Sequence, residues 1–572
     1  MNDGTGRPPK SGKVRPWSMG IVAASALLGL GLIADQACRI SATYDEVTYL
    51  QVGAHWWRTG EQETITRMGS PLSFWKLQQA PVLWAIDHFG DRSWVDDPIA
   101  HQAKLLPLIR IGASWVWLAA FVLVAAWSRS WYGDRSMAMA AMIFALSPNL
   151  LAHGALATME LPLLATSSAM LFAFARFLQT GRRGRLWASA SVGGLAFSCK
   201  FTTVLIPPIL ASIWAIDLWE RRDSAKSGWN QGIRAIRTVA AGMAGYVLIL
   251  VVSNLLVTGF ATLPLSPRTG SHPVLESRLG PTLAGWASTI LEGSYPQDWV
   301  GFARQVVLQR QGGPSYLFGE RRQTGWWYYY LVTMAVKVPL GFWLLAAARS
   351  GFQAKDDRRG WVITVYVALF LMAALLGSKR NYGVRYLLPL APPAIVWVSA
   401  LADMGRNRRW FGVAGLMGMA VAVGSIHPYE LSYFNLIGGG PRGGRRILSD
   451  SNLDWGQGAR SIARLQADRP EYRDLTWYYF GETDPSHYGV VGRCYRFDAN
   501  RSPAGLPARV SASTTYLAVS ASLQWGPWGP EGYFAALNRL TPVMDSADMT
   551  VAIYRTADLV NLGSIRTGPD RE

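Results

Sequence analysis

Apolar runs of membrane-spanning length recur from Ser18 to His427, and this recurrence constrains the fold more than any other feature of the chain. The runs lie at 18–34, 106–127, 137–153, 159–178, 186–199, 201–218, 238–257, 329–347, 361–377, 385–402 and 410–427, about eleven spans by window length. The expected fold is therefore a polytopic α-helical membrane protein. Pro148, Pro162, Pro207 and Pro208 fall in or beside the third to sixth runs, where a missing N–H kinks or ends a helix.

Charge tests the same arrangement independently, because Lys and Arg in short loops mark the cytoplasmic side. Alternate connections are basic: Arg7 to Arg15, Arg129 with Arg135, Arg182 to Arg185, Arg221 to Arg237, Lys355 to Arg359, and Arg406 to Arg409. This predicts a multi-pass protein of the cell membrane with a cytoplasmic N-terminus. The loops 35–105 and 258–328 and the tail from 428 then lie on the extracytoplasmic side. The formal net charge of +18 follows largely from these anchors, so the basic balance calls for no nucleic acid. Three cysteines give no disulfide framework, although Cys38 and Cys494 share the expected outer side, and the seven histidines show no metal-ligand spacing. No cleavable signal is expected, since the first run is long and lacks a small-residue cleavage site.

In the first outer loop, Val47, Leu50, Ala54 and Trp57 recur at helical spacing, which predicts an amphipathic helix. Thr43 and Glu46 match a capping box at its start; Glu46 thus has a structural duty as well as a chemical one open to it. Asp45 has no such duty, and a helix N-terminus favours its ionised form. Further charges fall at membrane depth: Arg110 in the second run, Glu160 at the head of the fourth, Lys200 after the fifth, Lys337 inside the eighth and Arg385 opening the tenth. Glu160 also suits a helix dipole, and Arg110, Lys200 and Arg385 also suit snorkelling to headgroups. Lys337 lies deepest, and a charge buried in a span is costly enough to point to function. Together they outline a pocket for an anionic ligand beside a carboxylate.

These residues carry a family resemblance. Tyr44-Asp45-Glu46, Arg110, Ser147-Pro148-Asn149, Thr158-Met159-Glu160-Leu161-Pro162, Ser198-Cys199-Lys200-Phe201-Thr202, Lys337-Val338-Pro339-Leu340 and Arg385-Tyr386-Leu387-Leu388-Pro389 stand in order across residues 18 to 402. The chain resembles a GT-C membrane glycosyltransferase of the group containing protein O-mannosyltransferases and the lipid A aminoarabinose transferase. The resemblance implies transfer of a sugar from a polyprenyl-phosphate donor, as co-substrate, to an acceptor hydroxyl on the outer face of a bacterial inner or plasma membrane, with inversion. It implies Asp45 as general base, with Glu46 and Glu160 as further site carboxylates; Glu160 stands where relatives carry Asp. Arg110, Lys200, Lys337 and Arg385 would hold the lipid phosphate, with Lys76 of Ser73-Phe74-Trp75-Lys76 a looser match. A glycan, a lipid and a protein all remain open as acceptor. No metal ligand is assigned, and a divalent metal stays open. The rival class is a flippase or transporter of polyprenyl phosphate or another anionic lipid, which predicts inverted repeats that the sequence does not display.

Residues 1–427 thus form the expected transmembrane catalytic domain, and 428–572 read as a soluble α/β domain. Strands are expected at Ile447 to Ser449, Leu475 to Phe480, Tyr516 to Ser520 and Met549 to Tyr554, with helices at Gln457 to Gln466 and near Gly532 to Leu540. Gly438 to Gly444 lacks the ending of a phosphate-binding loop and reads as a linker. Asp450, Ser451 and Asp454 read as caps of the following helix, with acceptor binding as the alternative. Trp326 to Tyr330 read as an interfacial belt, with sugar stacking as the alternative, and His153 as a packed histidine, with substrate contact as the alternative.

Overall fold

The computed structural model describes residues 14–61, 66, 73–221, 229–265, 286, 288–352, 357–403, 409–496, 514–529 and 532–561. Residues 266–285 and 287 of the loop 258–328 and the basic residues Arg7, Lys355 and Arg406 lie outside the described residues.

Each of the eleven apolar runs is helical. Among the described residues seven helices are long and apolar enough to cross a membrane, and two bent pairs raise this to nine. Arg183–Cys199 and Arg409–Gly424 account for the remaining two runs and are shorter. The chain is a multi-pass membrane protein.

Of the four prolines expected to interrupt helices, only Pro148 marks a break: Asp134–Ala145 and Pro148–Gly154 meet at 65°. Pro162 sits in the first turn of Glu160–Thr180, and Pro207 and Pro208 in the first turn of Ile206–Glu220, where no N–H is required. The sharper break, 105° between Tyr329–Lys337 and Leu340–Gly351, falls at Val338-Pro339. Close approach holds the bundle elsewhere. A Cβ at Gly194 would stand 2.5 Å from the Leu250 carbonyl oxygen, so Arg183–Cys199 packs backbone to backbone on Trp229–Val257.

Tyr44–Thr59 is the helix expected in the first outer loop, and its capping box is present. Val47, Leu50 and Ala54 are buried against Trp75 and Leu83 of Trp75–Phe89 and Leu105 of Gln102–Gly112.

The tail builds one mixed sheet. Leu475–Tyr479 pairs in parallel with both Arg493–Arg496 and Tyr516–Ser520; Val551–Arg555 runs antiparallel to Tyr516–Ser520 and to Met544–Asp545. Alternation sorts its faces. Trp477, Ala518 and Ile553 pack on Ala459 and Ile462 of the helix Ala459–Asp468, whereas Tyr478, Leu517 and Val519 join the main core.

Three expectations for the tail are corrected. Ile447 to Ser449 form no strand: the Leu448 N–H donates to the Gly444 carbonyl at 2.8 Å, prolonging the turn after Gly440–Gly444, and the Ile447 carbonyl accepts from the Phe318 N–H at 3.1 Å. The expected helix near Gly532 to Leu540 is the 3-10 turn Ala535–Arg539. Asp450, Ser451 and Asp454 do not cap Ala459–Asp468, whose N-cap is Gly458. They belong to a wedge between tail and membrane helices. There the Asn452 Oδ1 accepts from the Val384 N–H at 3.0 Å and its carbonyl from Lys337 Nζ at 2.6 Å, while the Tyr44 N–H donates to the Trp455 carbonyl at 2.7 Å.

Candidate functional site

Between the tail wedge and the ends of the membrane helices lies a cavity of about 1150 Å³. Asp45, Glu160, Lys200 and Arg385 line it, each delivered by a helix end. Asp45 is in the first turn of Tyr44–Thr59 and Glu160 opens Glu160–Thr180. Lys200 has extended backbone between Arg183–Cys199 and the 3-10 turn Phe201–Leu205, which turns its side chain off the helix path. Arg385 is the second residue of the 3-10 helix Val384–Leu390, which starts directly after Gly383. Gly383 has φ +111°, and a Cβ there would stand 2.7 Å from Ser451 Oγ, so a larger residue would push the tail wedge off Arg385.

The four charges form one chain. Arg385 Nη1 donates to Asp45 Oδ2 at 3.0 Å and lies 3.7 Å from Glu160 Oε1; Lys200 Nζ donates to Glu160 Oε1 at 2.8 Å. Aromatic rings hold the cations in place, Arg385 over Trp455 at 4.3 Å and Lys200 over Tyr386 at 4.3 Å. The Asp45 side chain is 30% exposed, against 10% for Arg385 and 1% for Glu160, so it is the carboxylate that faces the open volume. Burial, with Glu160 nearby, holds the Asp45 carboxyl above the usual carboxylate range, and Arg385 pulls the other way. The N-terminal turn does not outweigh this desolvation. Six basic and four acidic side chains line the cavity, the additional cations being Arg310, Lys379, Arg380 and Arg496. Such a site can take a proton at one carboxylate and hold an anionic group against several cations.

Four other expected site residues are not brought here. Glu46 and Arg110 are buried together outside the cavity lining and paired at 2.6 Å. All five donors of Arg110 are used, two on Glu46 and the rest on the carbonyls of Ala37, Ile40 and Ser41. Glu46 also accepts from the N–H groups of Thr43 and Ala157. Neither has capacity left for a ligand. Lys337 donates to the carbonyls of Leu431 and Asn452 and lies over Phe434, so this buried cation ties the broken span to the tail wedge. Lys76 Nζ lies over Trp56 at 5.5 Å, also outside the cavity lining.

The sequence reading did not single out Tyr386 or Trp455, which seat the cations, nor the cavity-facing rings Tyr382, Phe480 and Trp528. Tyr386 stands inside the motif quoted for Arg385, and Trp455 directly after Asp454 in the segment for which acceptor binding is the alternative; Tyr382, Phe480 and Trp528 lie in segments that carry no such signal. Among the described residues no group of three or more His, Cys, Asp or Glu side chains is placed to hold a metal ion.

Residues 99–252 of the 572 match the model of the family described as dolichyl-phosphate-mannose-protein mannosyltransferase. Among solved structures, ArnT from Cupriavidus metallidurans bound to undecaprenyl phosphate is similar at 14% identity and a TM-score of 0.45, over 97% of this chain and 99% of that one. The oligosaccharyltransferase AglB from Archaeoglobus fulgidus, in complex with an inhibitory peptide and a dolichol-phosphate, is similar at 12% identity and a TM-score of 0.37, over 89% and 71%. No curated protein sequence matches the chain significantly.

Proposed function

We propose that the protein transfers a sugar from a polyprenyl-phosphate donor to an acceptor hydroxyl in this cavity, with inversion. The observation that carries the reading is the chain of charges: a partly exposed carboxylate on Asp45, 3.0 Å from Arg385, beside Glu160 and Lys200. Asp45 accepts the proton of the acceptor hydroxyl while that oxygen attacks the anomeric carbon. The bond from that carbon to the phosphate oxygen breaks, and the lipid phosphate leaves with its charge held by Arg385 and Lys200. Glu160 keeps both cations in place. Val204, Leu205, Phe302 and Phe370 line the same cavity and suit a polyprenyl chain. Glu46, Arg110 and Lys337 act through position: Glu46 holds the backbone at Thr43 beside Asp45 and at Ala157 near Glu160.

The test is incubation of the purified full-length protein with radiolabelled polyprenyl-phosphate sugars. Release of free polyprenyl phosphate that depends on an added acceptor supports the reading. Passage of intact donor across a vesicle bilayer without cleavage would instead make the protein a flippase.

The division near residue 427, the cytoplasmic N-terminus and the extracytoplasmic tail belong to the same proposal. In a Cys38→Ser, Cys494→Ser background and intact cells, Gly184→Cys should resist a membrane-impermeant thiol reagent and Val491→Cys should react. Labelling at 184 would reverse the topology.

A further inference from the structure

Beside the charged centre, four rings line the cavity as one aromatic strip. Tyr44 stacks on Phe480 at 5.5 Å and 14°, Phe480 on Trp528 at 5.9 Å and 20°, and Trp528 lies 5.9 Å from Tyr382. Tyr44 is the residue next to Asp45, so the strip starts at the proposed base. Carboxylates border it: Trp528 Nε1 donates to Asp450 Oδ2 at 2.9 Å, and Glu482 lines the cavity with Tyr44. Asp450 and Glu482 both line the cavity, with Arg496 beside them.

This combination selects among ligands. A polyprenyl chain has no use for two carboxylates, and the apolar wall of Val204, Leu205 and Phe302 already suits it. An extended polypeptide would call for backbone partners, but the N–H groups of Tyr44 and Phe480 are taken by the Trp455 carbonyl and by Ser520 Oγ. A sugar ring satisfies every element. Its C–H faces lie on aromatic rings, and its hydroxyls donate to carboxylates and accept from a guanidinium group. We infer that the strip of Tyr44, Tyr382, Phe480 and Trp528, bordered by Asp450 and Glu482, is a sugar-ring subsite. The inference rests on the cavity being a transferase site, and the ring is either that of a glycan acceptor or the sugar of the donor.

The experiment measures binding by the purified full-length protein of four probes: polyprenyl phosphate, a polyprenyl-phosphate hexose, a short hexose oligosaccharide and a Ser/Thr-containing peptide. Trp528→Ala and Tyr44→Ala should each weaken binding of a sugar-bearing probe about tenfold, and leave bare polyprenyl phosphate within about twofold. Trp528→Phe should retain most of the affinity. Loss on the oligosaccharide assigns the subsite to the acceptor, and loss confined to the lipid-linked hexose assigns it to the donor sugar. Unchanged binding of all probes, an equal loss on bare polyprenyl phosphate, or a loss on the peptide alone overturns the inference. Tyr44 is 40% exposed, so Tyr44→Ala carries the test should Trp528→Ala fail to fold. Because binding is read without turnover, a protein that bound sugars through the strip yet transferred none would refute the transferase reading and leave the subsite standing.

Discussion

Asp45 and Glu46 are neighbours on the first turn of one helix, and they meet opposite surroundings. Glu46 turns inward, where Arg110 grips both its oxygens and two backbone N–H groups take the remaining capacity. Asp45 turns to the cavity with one hydrogen-bonded cation and a partly exposed side chain. A helix advances 100° per residue, which is enough to put adjacent side chains in different environments. The difference separates two uses of a carboxylate near a membrane. One that is fully satisfied fixes backbone, and one left partly unsatisfied has lone pairs to offer a substrate.

The largest effect should come from breaking the satisfied pair. Arg110→Ala strands a buried carboxylate and three carbonyls, and loss of one partner of a buried ion pair costs roughly 3 to 5 kcal/mol. Folded protein recovered in detergent, and its thermal midpoint, should both fall steeply. The double variant Glu46→Gln with Arg110→Met should recover part of that loss, since neither charge is then stranded. If Arg110→Ala kept its stability and lost only donor affinity, the pair would belong to the binding site and the contrast with Asp45 would fail.

Asp45→Asn tests the other half. It keeps shape and one acceptor oxygen but removes basicity, so acceptor-dependent turnover should drop about 100-fold or more. Donor binding and thermal stability should persist, the reverse of the Arg110 outcome. Near-normal turnover would pass the proton to Glu160.

A smaller effect, with a definite sign, is expected from Arg385→Gln. A base must be ionised to work, so activity falls as pH drops through its pKa, and burial already places that of Asp45 above the usual range. Arg385 opposes the rise. Its removal should therefore move the acid limb of kcat/KM to higher pH, as expected for losing an opposite charge at contact distance. An unmoved limb would mean that another group controls it.

How much of this was legible beforehand depends on the kind of signal. Apolar runs carry their own evidence, because twenty residues without charge have few alternatives, and all eleven are helical. The capping box of Thr43 and Glu46 is local and was readable as such. Partner choice is not local. Arg110 and Lys337 carry the same cost of burial as Lys200 and Arg385, and sequence cannot tell that carbonyls of Ala37, Ile40, Leu431 and Asn452 meet the first two while the cavity receives the others. For the same reason Asp450 and Asp454 read as helix caps: their residue types suit a cap, and only the fold reveals that Trp528 and Ser522 claim them.

The smallest effect should come from Lys76, whose resemblance-based role and structural position disagree most. Its ammonium group lies over Trp56 and is half-buried by neighbours, with Asp298 as the nearby carboxylate, rather than beside Arg385. Lys76→Met keeps the long apolar stem against Trp56 and loses an exposed-type cation–π contact worth about 0.5 to 1 kcal/mol. Thermal stability should shift slightly, and both donor affinity and turnover should stay within about twofold, because that is the size of an effect transmitted through packing alone. A loss of tenfold or more in donor affinity, with stability intact, would mean that the first outer loop closes over the bound lipid phosphate and brings Lys76 to it. The division between cavity-facing and structural charges would then have to be drawn for the donor complex, with Lys76 counted on the side of Lys200 and Arg385.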